Sequence, residues 1–177
     1  IKRIVKNLDP REYDIHTIAA PEKYELRHPY LWRFWNKLQT DEDITIFDRS
    51  WYGRVLVERV EGFASEVEWQ RAYDEINRFE KDLVKSQTVV IKLWLAISKD
   101  EQEARFKARE ETPHKRFKIT ADDWRNREKW DEYLNAAADM FERTSTAYAP
   151  WYIIANNDKN TARLEVLRAI LKQLRAE

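Results

Sequence analysis

Ile44-Thr45-Ile46-Phe47-Asp48-Arg49-Ser50 is an apolar, β-branched run that ends abruptly in an acid and a base. Such a run reads as a buried strand, and its two charges fall at the carboxyl end, where open α/β sheets bind ligands. Three more short runs share its character: Ile15 to Ala20, Val89 to Ile97 and Trp151 to Ala155. Between them lie stretches with helical spacing, such as Leu31, Phe34, Trp35 and Leu38, or Trp69, Tyr73, Ile76, Phe79 and Leu83. Helices are expected near residues 1–8, 24–38, 51–60, 66–85, 99–110, 121–147 and 160–175, with Ser98 capping the one that opens Lys99-Asp100-Glu101. Four buried strands alternating with helices predict an α/β fold, a parallel sheet covered on both faces.

The 177 residues fit one domain, and 43% hydrophobic content supplies a sizeable core. Lys plus Arg equals Asp plus Glu at 32 each, so the overall charge offers no general attraction to nucleic acid or an anionic membrane. Any anion site must be local. The chain has no Cys, which excludes disulfides, thiolate metal sites and a Cys nucleophile and suits a reducing cytoplasm. No apolar run approaches the roughly 18 residues of a membrane span. Pro113 makes residues 110–119 read as an exposed loop rather than a domain linker.

Asp48 has two readings: a ligand of Mg²⁺ beside transferring phosphates, with Arg49 neutralising phosphate charge, or a cap for the helix after Ser50 with Arg49 as its ion-pair partner. Arg105 to Lys118 carries six Lys or Arg against two Glu, with Arg105 and Arg109 one turn apart. That local excess reads either as a lid closing over phosphates or as a solvated basic face. Lys2, Arg3 and Lys6 can touch a polyanion or fray in solvent. His16, His28 and His114 lack metal-ligand spacing, and the Trp and Tyr residues follow core periodicity.

The longer run Phe47-Asp48-Arg49-Ser50-Trp51-Tyr52-Gly53-Arg54-Val55-Leu56-Val57-Glu58-Arg59-Val60 resembles the Walker B region of the second polyphosphate kinase family. Trp94 to Gln102, Arg105 to Arg109 and Lys115 to Thr120 resemble that family's passage into its lid, and Ala149-Pro150-Trp151-Tyr152 with Asn157-Asp158-Lys159 its last strand. Trp32 to Trp35 and Trp124 to Trp130 look most like its polyphosphate:AMP phosphotransferase branch. The resemblance implies a three-layer, thymidylate-kinase-like fold with a phosphate-binding loop, a lid near residues 100–125, and Mg²⁺ between phosphate chains. It assigns Asp48 to the metal, Asp48, Arg49 and Arg109 to catalysis, and Lys2, Arg3, Arg54, Arg105, Lys115 and Arg116 to phosphate or polyphosphate. Its partners are inorganic polyphosphate and AMP, ADP or another nucleotide, with a homo-oligomer compatible, and no nucleic acid or membrane. The family's G-x-D-x-x-G-K-G loop is not in these residues: the two glycines, Gly53 and Gly62, are not followed by Lys. The first strand and that loop are therefore expected upstream. An ATP-dependent nucleotide kinase of similar fold, or a non-catalytic kinase-like domain, also fits the local residues.

Overall fold

In a computed structural model of the chain, residues 1–38 and 44–175 are described, apart from the side chains at 115, 118, 121 and 122. They fall into two compact units, Ile1–Arg54 and Val55–Glu177.

In the first unit, β1 (Tyr13–Thr17) pairs in parallel with β2 (Ile44–Asp48), from Tyr13 opposite Ile44 to Thr17 opposite Asp48. A cluster of aromatic rings packs here: Phe47 lies 5.4 Å from Trp51 and 6.0 Å from Phe34, both edge-on, and 5.6 Å from His16. The helix expected over 24–38 is instead a 3-10 turn, Glu25–Arg27, and a single α-helical turn, α1 (Trp32–Trp35). Pro29 causes the break, because it drives the preceding His28 into extended backbone at φ −116°, ψ 161°. Residues 1–8 likewise hold only a 3-10 turn, Val5–Asn7, closed by extended Leu8. A segment this short does not offset the cost of helix nucleation.

The second unit carries α2 (Val57–Val60), α3 (Glu66–Lys85), β3 (Lys92–Ala96), α4 (Lys99–Glu111), α5 (Ala121–Glu128), α6 (Trp130–Thr144), β4 (Trp151–Ala155) and α7 (Lys159–Arg175). α3 starts at a capping box in which the Glu68 carboxylate accepts from the Ser65 N–H at 2.8 Å. Its inward stripe of Ala72, Tyr73, Ile76, Phe79 and Leu83 is buried, as are Ala136, Ala137 and Met140 of α6. β3 and β4 pair in parallel from Lys92 opposite Trp151 to Ala96 opposite Ala155. Ala162 and Ala169 of α7 pack with Ile154 of β4.

The strands are parallel and alternate with helices as the periodicity predicts, but they are not uniformly buried. Ile15, Ile44, Leu95 and Ile153 are exposed. Among the described residues each strand has one hydrogen-bonded neighbour, so an apolar run does not guarantee cover on both faces. The predicted helix 121–147 is two helices joined at Lys129 (φ −90°, ψ 26°). The expected loop at 110–119 is ordered as the end of α4 and a 3-10 turn, Pro113–Lys118, which the fixed φ of Pro113 helps to start.

Candidate active site

β2 delivers Asp48 to its carboxyl end, where the Asp48 carbonyl accepts from the Ile18 N–H at 3.0 Å while the side chain stays exposed. The expected alternative, a cap paired with Arg49, is not what forms: among the described residues neither side chain has a hydrogen bond or ion pair. Arg49 adopts φ 64°, a left-handed backbone that costs a non-glycine residue about 1–2 kcal/mol. A strained arginine directly after an unengaged carboxylate is the arrangement expected where function overrides local preference. A short turn later, the Arg54 guanidinium lies over the Tyr30 ring at 4.6 Å. Lys2 and Arg3 are exposed on the opening turn of the same unit.

The other candidate cations lie on the second unit. Ser98 caps α4 as predicted, its hydroxyl accepting from the Glu101 N–H at 3.2 Å. Arg105 is largely consumed by protein contacts: it donates to the Glu101 carboxylate at 2.6 Å and to the carbonyls of Asn156 and Asn157. Arg109, one turn on, is half-buried and without an ion pair among the described residues. Arg116 is exposed and donates to the Glu110 carbonyl at 2.7 Å. The side chain of Lys115 lies outside the described residues.

At the carboxyl ends of β3 and β4, Ala96, Ile97, Ser98, Ala155, Asn157 and Asp158 line a concavity of about 340 Å³. Asp158 caps α7 by accepting from the Thr161 N–H at 2.7 Å, and those bonds hold its carboxyl below the usual range. Asn157 and Ser98 bond each other across the rim. The polar rim is thus largely self-satisfied.

Sequence reasoning missed a buried ion pair. Lys92 donates to Glu80 at 2.8 Å and to the Thr144 carbonyl at 2.6 Å, with side chains 4% and 0% exposed. Burial pushes the Lys92 ammonium below its ordinary value, against the pull of Glu80. The signal was present: Glu80 follows Ile76 by four residues on the apolar stripe of α3. Also missed was Arg127, which ties α5 to α4 through the Lys99 carbonyl at 2.6 Å and the Glu103 carboxylate at 2.6 Å.

Among the described residues no three His, Cys, Asp or Glu side chains group to cage a metal, and no helix is long and apolar enough to cross a membrane. Asp48 nevertheless suits Mg²⁺, which commonly uses one or two carboxylates and takes its remaining oxygens from water and phosphate.

Comparison with known proteins places the whole chain. A polyphosphate:AMP phosphotransferase of Acinetobacter johnsonii is 81% identical over 177 residues, covering 100% of this chain and 37% of that protein. One from Pseudomonas aeruginosa is 56% identical over 170 residues, covering 96% of this chain and 34% of that protein. The chain therefore spans little more than a third of those curated relatives. The crystal structure of polyphosphate kinase 2 from Arthrobacter aurescens TC1 superposes with a TM-score of 0.95 at 37% identity, covering 99% of this chain and 62% of that one. The model of the family described as polyphosphate kinase 2 matches residues 1–177, and the chain, with its parallel strands alternating with helices, belongs to that family.

Proposed function

We propose that the protein carrying this chain moves the terminal phosphoryl group of inorganic polyphosphate to AMP, releasing ADP and a polyphosphate shorter by one unit. The observation that carries this reading is the 81% identity along all 177 residues to a protein named polyphosphate:AMP phosphotransferase. More distant relatives are named for NDP, ADP and GDP, so the choice of acceptor varies within the family.

In the transfer, the terminal bridging P–O bond breaks as an oxygen of the AMP phosphate forms the new one. No protein nucleophile is needed, and the protein's contribution is positioning and charge neutralisation. Asp48 would hold Mg²⁺ directly or through water, and the ion would supply neutralisation of phosphate charge. Arg49 neutralises a phosphate oxygen, its backbone fixed in a conformation that a flexible cation would not otherwise select. Residues near 100–125 serve as the lid, with Arg109 its catalytic cation and Lys115 and Arg116 binding polyphosphate. Lys2, Arg3 and Arg54 bind polyphosphate. Arg105 contributes less as a phosphate contact than as the fastening of α4, given its three protein acceptors.

The test is Asp48→Asn at saturating Mg²⁺, following ADP formed from AMP and polyphosphate. Turnover should fall about 100-fold or more. Near-parental turnover would return Asp48 to a structural end of β2.

A further inference from the structure

α2 ends at Glu61, whose N–H donates to the Val57 carbonyl at 2.9 Å, and Gly62 then turns the chain at φ 73°. A Cβ at Gly62 would meet nothing within 4 Å, so the glycine is there for its backbone and not for space. That turn leaves the Glu61 carboxylate only 6% exposed and facing groups from α5, α6 and the break between them: Lys129 Nζ at 3.2 Å, Tyr133 Oη at 3.2 Å and Arg125 Nε at 3.5 Å. These three residues are four apart, on either side of and at the break between α5 and α6. Lys129, the break itself, also donates to the Val60 carbonyl at 3.2 Å.

α5 is in turn bound to α4. Besides the Arg127 bonds, the Trp124 indole donates to Glu110 at 3.0 Å, and its ring meets Phe106 edge-on at 5.2 Å. Arg116 donates to the carbonyl of the same Glu110. The stretch from α4 through the 3-10 turn to α5 is therefore internally cross-braced. At its α6 end, its direction is set where Glu61 grips Lys129.

We propose that Glu61 is a positioning residue for phosphoryl transfer: by clamping the α5–α6 junction it sets the pose of the braced α4–α5 hairpin and of the cations that hairpin carries. The inference rests on the polyphosphate reading of the protein. Glu61 touches no substrate; it acts through Lys129 and Tyr133. One carboxylate facing two cations and a phenol makes the clamp polar and directional, so replacing it changes an angle more than it removes apolar packing.

The test compares Glu61→Gln, Lys129→Met and the double variant with the parent. Expected is a fall in kcat of between about 10- and 100-fold for Glu61→Gln, with the AMP KM nearly unchanged, because misplacement of remote cations is felt in the transition state. Lys129→Met should reproduce the loss, and the double variant should be no worse than either single, since all three break one clamp. Independently of activity, trypsin should cut after Arg116 about fivefold faster in Glu61→Gln, as the hairpin loses its fixed end. Tyr133→Phe, which removes one hydrogen bond and keeps the fold's packing, should show the same signs at smaller size if Glu61→Gln does not fold.

A merely structural Glu61 would lower the melting temperature while leaving kcat per folded molecule and cleavage at Arg116 unchanged, and that outcome overturns the proposal. Losses from Glu61→Gln and Lys129→Met that multiply in the double variant also overturn it. A parent without polyphosphate-dependent AMP phosphorylation would instead refute the functional reading, and the cleavage rates alone would then decide the role of Glu61.

Discussion

Replacing Lys92 by Met tests what a buried charge pair does in this fold. At the 2.8 Å Lys92–Glu80 separation and an effective dielectric near 20, the attraction is about 6 kcal/mol. Removing each charge from water costs several kcal/mol, so the intact pair is close to neutral for stability. The single substitution behaves differently, because the fully buried Glu80 carboxylate loses the Lys92 ammonium at 2.8 Å. Lys92→Met should therefore lower unfolding stability by about 3–5 kcal/mol. Adding Glu80→Gln removes the buried negative charge that Lys92 had balanced and should restore most of that loss. It should fall short by about 1–2 kcal/mol, since the Thr144 carbonyl has also lost the Lys92 donor. Urea unfolding followed by tryptophan fluorescence measures both, with Trp151 well placed as a reporter because its ring lies 5.3 Å from the Lys92 ammonium. A loss below about 1 kcal/mol for Lys92→Met, or additive effects in the double variant, would show that the pair is hydrated and that the reasoning from burial is wrong.

Two further outcomes follow from the same geometry. Arg49→Gly should raise stability by up to about 1 kcal/mol by relieving the left-handed backbone, while lowering polyphosphate-dependent turnover through loss of the guanidinium; a destabilised Gly variant in thermal melts would mean that the Arg49 side chain holds the strand end together. Burial and the neighbouring Glu61 push the Tyr133 phenol up to about 12, so the tyrosinate absorbance near 295 nm should include a late step that vanishes in Tyr133→Phe. Because the folded value is the raised one, this group's stabilising contribution is complete below about pH 10 and is lost as pH climbs towards 12.

Much of this architecture was legible in the chain because its longest elements carry their own signals. α3 and α7 were readable from apolar periodicity, the start of α4 from Ser98 followed by acidic residues, and β4 from its apolar, β-branched run. Where the reading failed, a local restraint overrode periodicity: Pro29 divides the segment around α1, and the polar grip on Lys129 accompanies the break between α5 and α6. The carboxyl end of β2 stood out because charge is out of place after Ile44-Thr45-Ile46-Phe47. Which cations are already engaged was not legible. Arg105 and Arg109 share a face at a spacing of four; Arg105 alone has an acid four residues before it, Glu101, and its other acceptors, the carbonyls of Asn156 and Asn157 some fifty residues away, leave no mark in the local sequence.

The parallel pairing of the strands also bears on how quickly the chain finds its structure. The first partners in β1 and β2, Tyr13 and Ile44, are 31 residues apart, whereas Lys92 and Trp151 in β3 and β4 are 59 apart. That near-doubling of the loop adds about 0.6 kcal/mol of closure entropy to the second pairing. Helices such as α3 and α7 draw on local contacts and can form within microseconds, but neither strand pair can assemble until its crossover has been drawn in. The later closure brings together the ends where Lys92 must meet Glu80, Thr144 and Trp151 at once. In the second unit, the slow event in folding and the burial of its costliest charge should therefore coincide.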